Sequence, residues 1–377
     1  MKLIINTAST YKGGSVQVAN SFINECRKHP ENEYHIVLGE ALAGVVDQGS
    51  FPAHFSFYEI GYRPASRVFS LKPRTRFFEN LEAAVAPDVV FTTSGPAYWR
   101  PKAPHLAGYN LPHYIYRDSP FFKQILFHQR VKWDAKGKVI TYFFKKDSDA
   151  YVVQTDDVNR RLKKLLKRDK VFTVSNTCSQ YYLNPKEAAD KLPERGDGEF
   201  RLLTLSAWYP HKNLGIIPEV IDALPEPLKE RIRFVLTIPE ETFQTKFSRR
   251  HRKYILNTGP VPPEEGPGLY KECDALFLPT LLECFSASYA EAMAMERPIL
   301  TSGLGFARAI CGTAALYTNP VDAAETADKI RELAKNPELR ERLVSDGKRQ
   351  LKTFFTAEQR AAAYLNICKK LADEGKN

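Results

Sequence analysis

The sequence predicts an α/β protein made of two doubly wound domains, each a mostly parallel sheet covered by helices, facing a central cleft. Three observations predict it. The 377 residues, 43% hydrophobic and 26% charged, suffice for two ordinary domains. Short apolar runs alternate with helical or polar segments along the chain, the pattern of parallel sheets with helical crossovers. The polar, Pro- and Gly-containing stretch NPKEAADKLPERGDGE separates two such series, as a linker does.

The first series opens with KLIIN, the loop TASTYKGG and the amphipathic SVQVANSFINECRKH, a strand, a glycine loop and a helix. YHIVLG, PDVVFTTS, AYVVQT and KVFTVS are its further strands, and EFRLLTLS, IRFVLTI, KYILNTG, DALFLP, RPILTS and AALYTN form the second series. The boundary falls near residue 190, giving an amino-terminal domain over 1–190 and a carboxyl-terminal domain over 191–355. The final segment, 356–377, reads as a helix returning to the amino-terminal domain, and Thr356 with Gln359 has the spacing of a capping box.

The composition narrows the class further. No window reaches about 20 uninterrupted apolar residues, and MKLIINTASTYKGG turns polar too early for a secretory signal, so a cytosolic protein is expected. The six cysteines are scattered without short paired spacings, which argues for reduced structural thiols and against a disulfide framework or zinc site. Residues 1–190 carry 27 Lys and Arg against 18 Asp and Glu, a balance of +9, while the remainder carries 27 against 26. An anionic partner is therefore expected for the amino-terminal half.

The segment PTLLECFSASYAEAMAM, 279–295, carries the chemistry. DALFLP is a continuously apolar strand, so Glu283 falls in the loop at its carboxyl end and Ser286 starts the next helix. The unpaired N–H groups and positive dipole end of such a helix form an anion site. Glu291 lies five residues on, about 7.5 Å along the axis, roughly the step from a diphosphate to a nucleoside ribose. Ala287, Ala290, Ala292, Met293, Ala294 and Met295 make this helix apolar on nearly all sides, which buries Glu291 and demands a hydrogen-bonding partner for it. Ribose hydroxyls would serve. Two surface glutamates paired with Lys or Arg would be the ordinary alternative.

This stretch resembles the E-x7-E motif of retaining GT-B glycosyltransferases, in particular the group 1, family 4 type. ECFSASYAE follows its E-G-F-G-x-x-x-x-E form, with Cys284 and Ser286 in place of glycines. LSAWYPHKNL, 205–214, is similar to the family's first carboxyl-domain loop, SGLGFARAICGTAALYTNP, 302–320, to its segment after the motif, and KGGSVQVA to its amino-domain glycine loop. The resemblance implies a GT-B fold of two Rossmann-like domains and a metal-independent hexosyltransferase without a cofactor. It implies that a nucleotide-diphosphate sugar is held by Lys212, Phe285, Ser286, Ala287, Glu291 and Gly259. Glu283 would meet the donor sugar, and Gly13 and Gly14 an acceptor or its phosphate. The resemblance places the acceptor in the first domain, and the basic charge of that half points to a saccharide or lipid-linked saccharide, in surface polysaccharide or glycoconjugate synthesis at the inner face of a membrane, with no nucleic acid as partner.

Three positions depart from the family pattern. Ser206 and Ala207 stand where an Arg is usual, Ala309 replaces the Glu of F-A-R-E, and Tyr109 and Asn110 stand where a catalytic His is usual. His113, three residues beyond, is the substitute candidate. Weaker signals remain. Asp147-Ser148-Asp149 reads as a helix-to-strand turn rather than a metal motif. RRLKKLLKRDK, 160–170, reads as a solvated helix. Nine aromatics interleave with Arg and Lys from Tyr114 to Lys146; they suit a core equally well, and exposure of half of them would mark contact with an anionic membrane or lipid-linked acceptor. A nicotinamide-dependent oxidoreductase would need G-x-G-x-x-G, which TYKGGSVQ does not supply. A nucleotide-sugar epimerase of similar fold and a non-catalytic basic membrane- or nucleic-acid-binding protein are the remaining alternatives.

Overall fold

The computed structural model describes residues 1–11, 13–61, 71–186 and 189–376. Lys12 of the glycine loop and Glu187 and Ala188 of the expected linker lie outside the described residues.

The first sheet contains β1 (Lys2–Asn6), β2 (Glu33–Gly39), β3 (Phe55–Ile60), β4 (Val89–Thr92), β5 (His105–Gly108), β6 (Ala150–Val153) and β7 (Val171–Thr173). Its order is β3-β2-β1-β4-β5-β6-β7, and its ladders, among them Leu3 opposite Val89 and Val153 opposite Thr173, are parallel. β1, β2 and β4, buried except for Lys2 and Glu33 at the starts of the first two, explain the continuous runs LIIN, YHIVLG and VVFT, since both faces of a parallel sheet are covered. The edge strand β3 is half-buried and alternates Phe55, Phe57 and Glu59.

The second sheet contains β8 (Phe200–Thr204), β9 (Ile232–Leu236), β10 (Ile255–Asn257), β11 (Ala275–Leu278), β12 (Ile299–Ser302) and β13 (Ala315–Thr318). Its order, β10-β9-β8-β11-β12-β13, is again parallel. Chain order reverses between β8 and β11, the switch point outside which open α/β sheets bind ligands.

The chain divides into two compact units, one of Met1–Tyr116, Leu126–Asn176 and Phe355–Asn377, the other of Arg117–Ile125 and Thr177–Phe354. In the first, the helix Ala357–Glu374 starts with the Thr356–Gln359 capping box and seats Tyr364 edge-on against Phe22 and Phe91, at 5.3 and 5.2 Å between ring centroids. Arg360, buried beneath it, donates to Asn176 Oδ1 and Ser21 Oγ. In the second, the polar stretch expected as linker is anchored: the Lys191 and Leu192 amides donate to Glu272, and Arg195 pairs with Asp274. The excursion 117–125 also belongs to this unit, where the Ser119 hydroxyl donates to the Leu281 carbonyl at 2.7 Å. Nothing in the sequence periodicity indicates that.

All six cysteines are free and buried. Asp149 pairs with Arg100 and accepts from the His105 amide, so Asp147-Ser148-Asp149 is a helix-to-strand junction. Among the described residues no helix is long and apolar enough to cross a membrane, and none of their His, Cys, Asp and Glu side chains cluster as a metal site would require.

Candidate active site

The second unit builds its site from two loops at the carboxyl ends of neighbouring strands. After β8 the chain enters a single tight turn, Pro210–Lys212, and reverses at Asn213, whose left-handed backbone (φ 58°) is stabilised by its side-chain amide donating to the Pro320 carbonyl at 2.7 Å. After β11 the second loop runs to Glu283. The His211 carbonyl accepts from the Leu281 amide at 2.7 Å and the Thr280 hydroxyl at 3.1 Å, tying the loops together. The Ser302 hydroxyl donates in turn to the Thr280 carbonyl at 2.7 Å. The Lys212 and Glu283 side chains therefore stand on backbone that is hydrogen-bonded on both sides.

Lys212 Nζ lies 2.5 Å from Glu283 Oε1, and the Thr280 hydroxyl donates to the same oxygen at 3.2 Å. The pair is mostly buried, so its attraction is screened less than that of a surface pair. Next comes the helix Ala287–Ala294, with Ser286 at its N-cap. The Ser286 hydroxyl makes no capping hydrogen bond, which leaves the first-turn amides without an internal side-chain acceptor. Phe285 turns its ring against Phe354, at 5.6 Å, and so anchors the loop through packing.

Glu291 is 8% exposed, as its apolar helix requires. Its protein partner is one the sequence does not reveal: the Tyr270 hydroxyl faces Glu291 Oε2 at 3.5 Å and the Ser288 carbonyl at 3.2 Å. Tyr182 packs edge-on against Tyr270 at 5.7 Å. Burial pushes the Glu291 carboxyl up to about 7, against the opposing pull of the Tyr270 hydrogen bond and the Lys212 charge. The carboxylate is thus poised near neutrality and short of strong donors. Beyond the end of the edge strand β10, Gly259 has φ 75° and open space where a side chain would project, so the backbone there can lie close to a flat ligand.

Ser206 donates its amide to the Thr237 hydroxyl, and Ala207 and Ala309 are exposed; neither departure from the expected pattern places a charge at its own position. Arg308, beside Ala309, donates to the Gly303 carbonyl and covers the Tyr317 ring.

The remaining candidates lie in the first unit. Gly13 caps the helix Gly14–Glu25 with φ 68° and ψ −154°, a conformation reserved for glycine, and both Gly13 and Gly14 border open space. His113 sits in the short helix Pro112–Ile115 with its ring flat on Trp133, 4.4 Å between centroids. A small cavity of about 180 Å³ near the end of β1 is lined by Thr10, Tyr11, Glu40 and Gly61 among others.

Residues 186–350 match the family described as "Glycosyl transferases group 1". No curated protein sequence matches the chain. Among solved structures, sucrose-phosphate synthase from Thermosynechococcus elongatus aligns at TM-score 0.75 and 14% identity, over 99% of this chain and 100% of that one. WaaG, a glycosyltransferase involved in lipopolysaccharide biosynthesis, aligns at TM-score 0.70 and 13% identity, over 97% and 99%. Anabaena HepE in complex with UDP-glucose aligns at TM-score 0.64 and 12% identity, over 99% of each chain. Residues 186–350 thus match the group 1 glycosyltransferase family, and the whole chain shares the GT-B fold of these solved glycosyltransferases.

Proposed function

We propose that the chain transfers a hexose from a nucleoside-diphosphate sugar, with retention of configuration, to a saccharide or lipid-linked saccharide in surface polysaccharide or glycoconjugate synthesis. The observation that carries the reading is the Lys212–Glu283 pair in the loops before the helix Ala287–Ala294, with the buried Glu291 of that helix feeling the Lys212 charge. A diphosphate on the Ser286 and Ala287 amides would be neutralised by Lys212, as a point charge, and by the helix dipole. Glu291 would accept the ribose hydroxyls, Gly259 would leave room for the base, and Glu283 would hold hydroxyls of the transferred sugar. The negative charge that builds on the leaving diphosphate meets donors already in place, which lowers the barrier where it matters. Leaving-group oxygen then assists the acceptor hydroxyl on the same face, and no second carboxylate at glycosidase spacing takes part. The reading assigns no metal or cofactor, because Lys212 and the helix amides carry the countercharge.

Gly13, Gly14 and His113 are assigned to the acceptor in the first unit, and the protein to the cytoplasm at the inner face of a membrane. The HepE complexes with UDP and UDP-glucose favour UDP sugars as the first donors to try. The test is a panel of nucleotide sugars scored for nucleoside-diphosphate release and for the anomeric configuration of the product, with and without chelator. UDP-sugar turnover that is retaining, chelator-resistant and lost in Glu283→Gln is expected. An inverted product, release of a 2-epimer without acceptor, or stabilisation by NAD alone would overturn the reading.

A further inference from the structure

The helix Phe127–Asp147 of the first unit is apolar on two opposite faces. One face is packed: Trp133 carries the His113 ring, Ile140 and Phe144 are buried, and Gly137 lies against Tyr114. At 3.6 residues per turn, Phe127, Val131, Ala135, Val139 and Tyr142 fall within an arc of about 120° centred opposite that packed face. They are exposed: Phe127 by 79%, Val131 by 51%, Val139 by 53% and Tyr142 by 58%, and Leu126 just before the helix by 62%. Single apolar residues on a surface are ordinary, but a stripe about 22 Å long on one helix face is not.

The charges around the stripe are of one sign. Arg130 lies on one flank, Lys132 and Lys136 on the other, and Lys138, Lys145 and Lys146 emerge along it on stems long enough to snorkel. Against these six cations the exposed part of the helix sets Asp134 alone, since Asp147 is buried at the end of the helix. A stripe of this kind facing its own copy would bring lysines against lysines. An acyl boundary under anionic head groups satisfies both features at once, taking the apolar side chains into the hydrocarbon and the cations into the head-group layer.

We propose that the outward face of Phe127–Asp147 is a membrane-docking surface that lays this helix flat in the interface of an anionic lipid leaflet. The inference deepens the lipid-proximal reading of the acceptor side and is independent of the donor site, because it uses no residue of the second unit.

Vesicle sedimentation tests it, using the full chain with phosphatidylcholine vesicles alone or with about 30% phosphatidylglycerol. Wild type is expected to bind the anionic vesicles at least about tenfold more tightly than the neutral ones, and to release in about 0.5 M salt. The triple variant Phe127→Glu, Val131→Glu, Val139→Glu is expected to lose at least about tenfold in affinity, with an unchanged melting curve and UDP-sugar turnover in vesicle-free solution. Phe127→Ser and the charge variant Lys132→Glu, Lys136→Glu, all at exposed positions, give the same reading should the triple variant fold poorly. Equal sedimentation of wild type and these variants, or no vesicle binding at all, overturns the proposal. So does light scattering that shows a wild-type dimer converted to monomer by Phe127→Ser. Failure of the donor reading would instead appear as absent turnover with vesicle binding intact.

Discussion

Lys212 and Glu283 form a mostly buried ion pair at 2.5 Å across two loops that follow different strands of one sheet. The cation that would neutralise a diphosphate is held by the carboxylate that would grip the transferred sugar. Lys212→Ala is expected to destabilise the second unit by about 2 kcal/mol, because Glu283 keeps only the Thr280 hydroxyl. It should also lower turnover at least about a hundredfold through loss of charge stabilisation. Glu283→Gln retains hydrogen-bonding capacity and is expected to melt close to wild type while losing turnover. Thermal melting alongside steady-state kinetics separates the two effects, and equal melting losses in both variants would reduce the pair to a structural role.

Glu291 makes a pH prediction with a definite sign. Its folded value of about 7 lies above the ordinary 4.5, so between those values the folded chain holds a proton that the unfolded chain has released. Stability in the absence of ligand is therefore expected to be fully present below about pH 4.5 and to fall by roughly 3 kcal/mol as pH rises to 7. Ribose hydroxyls donate to the ionised form, so donor affinity should move oppositely, rising up to about tenfold from pH 6 to 8. Glu291→Gln should flatten both profiles in calorimetry and binding titrations.

Gly13 and Gly14 separate backbone strain from space. Neither meets an atom where a side chain would project, but only Gly13 has positive φ. Gly13→Ala is expected to cost about 1–3 kcal/mol, and Gly14→Ala to stay within about 0.5 kcal/mol of wild type. Denaturant melts of the two variants measure the difference directly.

His113 lies flat on Trp133, an arrangement that supports either packing or positioning. His113→Ala is expected to cost about 1 kcal/mol of stacking and at least about tenfold in transfer to acceptor, with nucleotide binding unchanged. Transfer at the wild-type rate would remove it from the acceptor site.

Most of the fold is legible in the sequence because buried parallel strands are written as unbroken apolar runs, as in LIIN, IVLG and ALFL. The half-buried edge strand β3 breaks that rule, and FSFYEI carries only an aromatic alternation that short-range reading passes over. β5, HLAG, is buried but carries His105 and Gly108, so no apolar run declares it. Within the site, Glu283, Ser286 and Glu291 could be placed relative to one another because a strand end and a helix repeat fix their spacing. The contacts that hold them could not. Tyr270 meets Glu291 across two helices, Ser119 reaches Leu281 from the other half of the sequence, and no local pattern links residues that only tertiary packing brings together.

The helix Ala357–Glu374 closes the core around Phe22 and Phe91. During translation every residue of the second unit leaves the ribosome before that helix does. The half of the protein made first is thus the half whose core closes last, its apolar surface around Phe22 and Phe91 lacking this cover until Ala357–Glu374 has emerged.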